Sequence, residues 1–410
     1  MNIKFIDGGI TAPFGFRAGG IHCGIRRNAS KLDLMMILSN ADCAASAVYT
    51  RNTVKGAPLI VTKANLSDGK ARGVIANSGN ANTCNADGEE KARAMCALAA
   101  KSCGLSPTDF AVASTGVIGQ TLDITPIEGC MAALYSDLGS DASASDRAAR
   151  AIMTTDTVKK ELCVEFELDG KPVRIGAISK GSGMIHPNMA TMLGFVTTDA
   201  VISKSALDAA LTSAVDDSIN MISVDGDMST NDTVLILASG LAGNSEITPD
   251  SGSFVVFKLA LTVLLQKIAR LLAKDGEGAT KLIECSVSGA PYIAAARRLA
   301  KAVISSPLVK TAVFGADANW GRILCALGYA TIGGPVLTDN VDVTFISGFE
   351  SLPVCKGSLG IEFDEEKAKR ILSNDEIGIE INMNTGTSSA MAWGCDLTYD
   401  YVKINGDYRT

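Results

Sequence analysis

The sequence predicts a mixed α/β protein with two lobes, and three observations support this fold class. Segments with helical periodicity alternate with short, β-branched apolar runs that are typical of strands. The chain has 410 residues, of which 47% are hydrophobic, so it can bury a large core but is long for one domain. No long repeat or low-complexity linker interrupts the alternation. We therefore expect two lobes that each combine helices and strands.

The periodicity places the individual elements. Helices are predicted at 89–102, 146–153, 204–221, 254–274, 290–305 and 364–372. Strands are predicted at 71–76, 110–114, 163–168, 173–179, 233–238, 281–287, 311–314 and 376–382. The stretch 136–145, rich in Ser, Asp and Ala, is expected to be a surface loop. Charged residues interrupt the apolar helix at 254–274, so we expect it to pack on a core rather than cross a bilayer.

The overall charge limits the kind of partner. A net charge of -7 disfavours nucleic acid and anionic membranes, because phosphate groups need a positive surface, and it favours a small-molecule substrate. The 11 cysteines are scattered without a C-x-x-C pair, which indicates reduced core thiols in a cytosolic protein. Residues 1–11 lack the pattern of a signal peptide, so we expect a cytoplasmic protein that starts near Met1. No metal site is expected.

The segment 180–193, KGSGMIHPNMATML, has the composition that self-cleavage before Thr191 requires. Its glycines and its Pro-Asn pair allow tight backbone conformations that concentrate strain at one peptide bond. Attack of the Thr191 hydroxyl on the carbonyl of Ala190 forms an ester, and hydrolysis of that ester releases Thr191 as a new N-terminus. From this segment alone, an ordinary strand threonine is the commoner interpretation.

The scarcity of histidine bears on the choice of catalytic base. The only histidines are His22 and His186, and neither is placed like a member of a catalytic triad. A free α-amine has a pKa of roughly 7.7 to 8.0 and can act as a base near neutral pH. After cleavage, Thr191 would therefore supply both the nucleophile and its base.

Seven ordered segments resemble the glutamate N-acetyltransferases, also called ornithine acetyltransferases, of the cyclic arginine pathway. They are 77–82 (NSGNAN), 113–119 (ASTGVIG), 152–157 (IMTTDT), 180–193, 225–232 (DGDMSTND), 315–322 (GADANWGR) and 401–410 (YVKINGDYRT). The resemblance covers essentially the whole chain. It implies the two-lobed, self-processing acyltransferase fold that this family shares with self-cleaving aminopeptidases. It also implies an α chain, 1–190, and a β chain, 191–410, cut between Ala190 and Thr191 and remaining folded together.

The resemblance assigns roles to particular residues. Thr115 and Gly116 match the oxyanion hole, and their position after an apolar strand offers a hydroxyl and an accessible backbone N–H. On sequence alone an ordinary strand-end turn is the commoner interpretation of this pair. The residues that match substrate-binding positions in the family are Thr154, Lys180, Thr191, Glu277, Asn405 and Thr410.

Three of the polar segments have simpler interpretations. A carboxylate at Glu277 suits the side-chain ammonium of ornithine, although 274–278 also has the composition of a solvated helix end. The runs 77–82 and 225–232 are expected to form turns with structural hydrogen bonds, and the second lacks the Glu that closes a calcium loop.

The implied reaction is a ping-pong transfer of an acetyl group from N-acetylornithine to glutamate through acetyl-Thr191, with no cofactor. Acetyl-CoA would be a co-substrate if the enzyme is bifunctional. The family also suggests a heterotetramer of two copies of each chain. Two alternatives remain open: a self-processing aminopeptidase or amidohydrolase that uses water as acceptor, and a processed binding subunit without activity.

Overall fold

The computed structural model describes residues 2–186, 192–330, 333–334 and 336–407. Its strands, in chain order, are β1 Lys4–Ile6, β2 Phe16–Ile21, β3 Leu34–Tyr49, β4 Lys70–Asn80, β5 Phe110–Val117, β6 Lys160–Leu168, β7 Lys171–Lys180, β8 Leu193–Thr198, β9 Ile222–Ser223, β10 Thr233–Ala238, β11 Leu282–Ala290, β12 Asp342–Ser347, β13 Glu350–Lys356, β14 Leu359–Gly360, β15 Glu376–Asn382 and β16 Ser388–Cys395. Its α-helices are α1 Ala57–Asn65, α2 Gly88–Cys103, α3 Thr125–Asp137, α4 Ala142–Ala151, α5 Lys204–Asp216, α6 Gly252–Lys274, α7 Ile293–Ser305, α8 Pro307–Phe314, α9 Trp320–Gly328, α10 Glu365–Leu372 and α11 Tyr399–Gly406.

The chain folds into two compact units, each made of several chain segments. Unit 1 comprises Met1–Gly181, Pro187–Asn220 and Met228–Ile268, and unit 2 comprises Ser182–His186, Met221–Asp227 and Ala269–Thr410. Each unit has its own sheet and helices, so the predicted mixed α/β class is confirmed. The predicted division into 1–190 and 191–410 concerns self-cleavage, which the unit boundaries do not test.

Unit 1 is built on a sheet in the order β1-β6-β7-β8-β10-β3-β4-β5, with β2 also paired to β3. The pairs β4/β5 and β8/β10 are parallel, and the other pairs are antiparallel. Alternate residues of β3 enter two different cores: Met35 and Ile37 pack with residues of β7, β8 and α4, whereas Leu34 and Met36 pack with residues of α1, α2 and α3. A strand buried on both faces reads as a continuous apolar run.

Unit 2 is built on a sheet in the order β14-β13-β12-β15-β11-β16-β9. Helix α7 packs on β11 and β16 through its apolar face, which includes Leu299, Val303 and Ile304. Helix α10 covers β12 and β13, with Asp364 capping its first turn. The helix α11 follows β16 and carries Asn405.

Most of the predicted elements are present, and two predictions are wrong. Residues 311–314 belong to α8, where Ser306 caps the first turn and Pro307 occupies its start, so these start signals outweigh the β-branched run. The stretch 136–145 is not one loop, because α3 extends to Asp137 and Asp141 caps α4. Serine and aspartate act here as helix caps. The predicted helix at 254–274 is confirmed as α6, and no helix in the described ranges is long and apolar enough to span a membrane.

Candidate active site

The Thr115–Gly116 pair lies at the end of β5, beside the end of the parallel strand β4. Gly116 aligns with Gly79 across this pair and has a φ of +136°. A Cβ atom at position 116 would lie 2.3 Å from the carbonyl carbon of Gly79 and 2.5 Å from the nitrogen of Asn80. Both the positive φ and the close backbone approach therefore require glycine at this position.

Side chains of the polar runs 77–82 and 225–232 form hydrogen bonds around this end of β5. The Asn231 amide donates to the carbonyl oxygens of Ala81, at 2.6 Å, and Ser114, at 3.0 Å. The Thr83 hydroxyl donates to the Asn231 side-chain oxygen at 2.6 Å, and Ser114 donates to Asn77 at the same distance. All of these contacts are buried. The structural hydrogen bonds expected for these runs are present, but the turn expected at 77–82 is wrong, because residues 77–80 form the end of strand β4. Their position next to Thr115 is a new observation.

The side chain of Lys180, the last residue of β7, contacts Thr115 at the same end of β5. Its ammonium donates to the Thr115 hydroxyl oxygen at 3.4 Å, and the residue is only 7% exposed. The structure thus brings together two of the residues singled out in the sequence, one expected to stabilise an oxyanion and one expected to bind substrate. A buried ammonium and a hydroxyl at this spacing can both interact with a developing negative charge.

A buried carboxylate, Asp156, joins this region to Thr154. Asp156 accepts hydrogen bonds from the backbone N–H of Thr154 at 2.9 Å and of Gly181 at 2.7 Å, and from Lys160 at 2.5 Å. Burial alone would raise the pKa of Asp156, but the positive charges of Lys180 and Lys160 outweigh it and hold that pKa well below its usual range. Asp156 and Lys160 were not identified as site residues in the sequence, since no pattern there indicates their pairing.

In unit 2, the structure brings together Glu277 and Asn405. The Asn405 amide donates to the Glu277 carboxylate at 2.8 Å. Glu277 is 7% exposed, and its N–H donates to the carbonyl of Ser182 at 3.0 Å. A Cβ atom on Gly183 would lie 2.3 Å from the Glu277 carboxyl carbon, so a larger residue there would displace the carboxylate from this position. The burial of Glu277 argues against a plain solvated helix end.

The residues just before the predicted cut are held in unit 2. The backbone N–H groups of Met184 and Ile185 donate to Asp225 at 2.6 and 2.9 Å. The ring of His186 lies 3.0 Å from the Ser223 hydroxyl, and burial, with a smaller effect of the Lys301 charge, lowers the pKa of His186 to about 4. A neutral, hydrogen-bonded imidazole is a structural element here.

Three of the predicted site residues, Ala190, Thr191 and Thr410, lie outside the described residues. Their roles remain predictions. Within the described parts of the chain, no group of three or more His, Cys, Asp or Glu side chains is arranged to hold a metal ion.

The fold and these two groups of residues define a class of protein. A mixed α/β chain with a hydroxyl and a buried lysine at a glycine turn, and a buried carboxylate elsewhere, has the donors and charges of an acyltransferase for small charged molecules. The ArgJ family model matches residues 17–410. The chain therefore belongs to the ArgJ family, and the resemblance found in the sequence is confirmed.

Two relatives that are 50% and 48% identical agree with this assignment. The chain is 50% identical over 396 residues to the arginine biosynthesis bifunctional protein ArgJ 1 of Clostridium acetobutylicum, covering 96% of both chains. It is 48% identical over 410 residues to the arginine biosynthesis bifunctional protein ArgJ of Symbiobacterium thermophilum, covering 100% of both. The crystal structure of the ArgJ protein of Bacillus halodurans matches 52% of this chain and 97% of its own, with 44% identity and a TM-score of 0.48.

Proposed function

We propose that this chain transfers the acetyl group of N2-acetyl-L-ornithine to L-glutamate and so produces L-ornithine and N-acetyl-L-glutamate. Membership of the ArgJ family over residues 17–410 places the chain among the acyltransferases of arginine biosynthesis. The observation of the structure that carries the proposal is the contact of the Lys180 ammonium with the Thr115 hydroxyl at 3.4 Å. This contact places a cation beside a donor expected to meet the negative charge of the reaction.

The first half of the reaction forms an acetyl-enzyme. The α-amine of Thr191, freed by cleavage after Ala190, takes the proton of the Thr191 hydroxyl. The oxygen then attacks the acetyl carbonyl of N-acetylornithine. Thr115 and Gly116 donate hydrogen bonds to the oxyanion, each such donor being worth about 2.7 to 4 kcal/mol in the transition state. The C–N bond breaks, and ornithine leaves with the proton from the α-amine.

The second half regenerates the free threonine. The amine of glutamate attacks the acetyl-Thr191 ester and gives a proton to the Thr191 α-amine. The C–O bond breaks, and the α-amine passes that proton to the Thr191 oxygen. Thr154 and Lys180 bind the part of the substrate that both amino acids share, where an ammonium suits the α-carboxylate. Glu277 with Asn405 takes the side-chain ammonium of ornithine, and Thr410 completes substrate binding at the end of the chain.

The finer properties follow from the family. We propose that the enzyme uses no cofactor, that acetyl-CoA serves as a second acetyl donor, and that two copies of each cleaved chain form a heterotetramer in the cytoplasm. The relatives at 50% and 48% identity are named bifunctional proteins, which supports a second donor.

Product analysis with and without glutamate tests the proposal. Purified protein is incubated with N-acetylornithine, and ornithine, N-acetylglutamate and acetate are quantified by mass spectrometry. We expect N-acetylglutamate in an amount equal to the ornithine released, and release of ornithine that depends on glutamate. Acetate formed at the same rate without glutamate would indicate the hydrolase alternative instead. Cleavage without turnover would indicate the processed binding subunit.

A further inference from the structure

We propose that Asp156 and Lys160 form a positioning pair that holds Thr154 and Lys180 in place for substrate binding. The inference rests on the proposed function, in which Thr154 and Lys180 bind the substrate. We assign no substrate contact to Asp156 or to Lys160. Asp156 acts through the backbone of Thr154 and Gly181, and Lys160 acts through the backbone of Gly181, the residue after Lys180.

Asp156 joins three parts of unit 1. One oxygen of its carboxylate accepts the N–H of Thr154 at 2.9 Å, and the other accepts the N–H of Gly181 at 2.7 Å and the Lys160 ammonium at 2.5 Å. Thr154 lies in the loop after α4, and Gly181 directly follows Lys180 at the end of β7. A single carboxylate therefore fixes the distance between the two segments that carry the predicted substrate-binding residues.

Lys160 also binds the backbone at the end of β7. Its ammonium donates to the carbonyl oxygen of Gly181 at 3.1 Å, so the pair binds both the N–H and the C=O of this one residue. The side chains of Asp156 and Lys160 are fully buried. With both backbone groups of Gly181 held, the direction in which Lys180 leaves the strand is defined.

The charges in this region favour a carboxylate ligand. Two ammonium groups, of Lys160 and Lys180, accompany the ionised Asp156, whose pKa is held low by those same lysines against the effect of burial. Burial raises the pKa of a second carboxyl, Asp232, well above its usual value, against the smaller lowering effect of the Lys180 charge. Lys180 places one of the two ammonium groups beside the Thr115 hydroxyl.

A purely stabilising ion pair would need only the contact between the two side chains. Buried ion pairs are weak evidence for stability, since replacing both partners by neutral groups is often tolerated, whereas removing one leaves an unpaired charge. Here each partner also binds backbone groups of the segments that carry Thr154 and Lys180. Positioning predicts a loss of substrate binding that persists when the pair is removed as a whole.

The test compares Asp156→Asn/Lys160→Met with the control Lys159→Met. Lys159 is the neighbour of Lys160, but its side chain is 36% exposed and pairs with Asp146 and Glu161. KM for N-acetylornithine, kcat and the melting temperature are measured, with rates normalised to the cleaved fraction. We expect at least a tenfold higher KM in the double variant with a smaller change in kcat, and no change in the control.

The other outcomes separate this inference from the proposed function. A folded, cleaved double variant with the wild-type KM would overturn the positioning role alone. A wild-type protein that transfers no acetyl group would overturn the proposed function and the inference with it. If the double variant does not fold, Asp156→Glu keeps the charge and displaces the carboxylate by one methylene. We then expect the same rise in KM, and an unchanged KM in this folded variant would equally overturn the inference.

Discussion

The Thr115 turn of unit 1 and the Glu277–Asn405 contact of unit 2 are built in different ways. Thr115 and Gly116 lie near the end of β5, beside the parallel strand β4, and buried hydrogen bonds from Asn231 to the Ser114 carbonyl and from Ser114 to Asn77 hold the strand just before them. Among the described residues, the Glu277 carboxylate accepts a hydrogen bond from Asn405 of α11, a helix in which no residue is fully buried. The first arrangement defines positions closely, whereas the second leaves one partner exposed.

This difference matches the tasks that we assign to the two groups. Oxyanion stabilisation depends on donors that are already in place before the reaction, and a small displacement is costly. Recognition of an ammonium by a carboxylate tolerates more variation in geometry, because a charge attracts from many directions. Substitutions in the two regions should therefore affect different kinetic constants.

The largest effect is expected for Gly116→Ala. The added Cβ would lie within 2.6 Å of three backbone atoms of Gly79 and Asn80, and the φ of +136° is unfavourable for alanine. We expect kcat to fall by about 10²- to 10³-fold, as when an oxyanion donor is lost. Steady-state kinetics of the transfer reaction measures this effect.

Gly119→Ala is the matched control for this substitution. Gly119 also has a positive φ, +78°, but a Cβ atom there would meet nothing within 4 Å. We expect a modest loss of stability and nearly normal kcat. Equal losses of kcat in the two variants would show that backbone strain, rather than the position of the oxyanion turn, accounts for the effect.

A smaller effect, on KM rather than on kcat, is expected for Glu277→Gln. Glutamine can still accept the hydrogen bond of Asn405 but no longer attracts an ammonium. A hydrogen bond to a charged group is worth about 1.5–3 kcal/mol, so we expect KM for N-acetylornithine to rise by about 10- to 100-fold, with less change for glutamate. The exposed Glu365→Gln serves as control. A larger fall in kcat than rise in KM would remove the distinction between the two regions.

The smallest effect is expected for Asp232→Asn, and it is a change in thermal stability that depends on pH. The Asp232 side chain is buried, and its Oδ2 atom has no hydrogen-bond partner among the described residues. Burial raises the pKa of this carboxyl well above the unfolded value, so its contribution to stability decreases as the pH rises from about 4 through the raised pKa. Asp232→Asn removes that dependence.

Thermal unfolding of Asp232→Asn and the wild type at several pH values measures this contribution. We expect the variant to gain in melting temperature relative to the wild type as the pH rises from 4 to 8, by ~2 °C or more. The exposed Asp227→Asn should show no such trend. A difference that is the same at every pH would contradict a raised pKa at Asp232.

The sequence predicted local features better than long-range ones. Helix α6 and strand β10 were predicted because one periodicity or one β-branched run identifies each of them. Strand β3 was missed, since burial of both faces removes the alternation of a half-buried strand. The strand prediction at 311–314 is wrong because the signals that start helix α8, Ser306 and Pro307, lie before that β-branched run.

The same limit applies to the candidate site. Thr115, Lys180 and Asn405 lie in the motifs and Glu277 was assigned through the family resemblance, and the structure adds which of them are in contact. Asp156 was inside a recognised motif, but its pairing with Lys160 and with the backbone of Gly181 depends on how β6 and β7 are placed. Asn231 and Asn77 support one turn from distant parts of the chain, and no spacing rule relates them.

The intact mass of the purified protein under denaturing conditions tests the central claim most directly. We expect two chains, residues 1–190 and 191–410, with the second beginning Thr-Met-Leu-Gly on N-terminal sequencing, and we expect Thr191→Ala to remain one inactive chain. These results would establish Thr191 as a free N-terminal nucleophile. A single 42.5 kDa chain that stays intact after long incubation and still transfers acetyl groups would contradict the mechanism, because Thr191 would then have no free amine to act as its base.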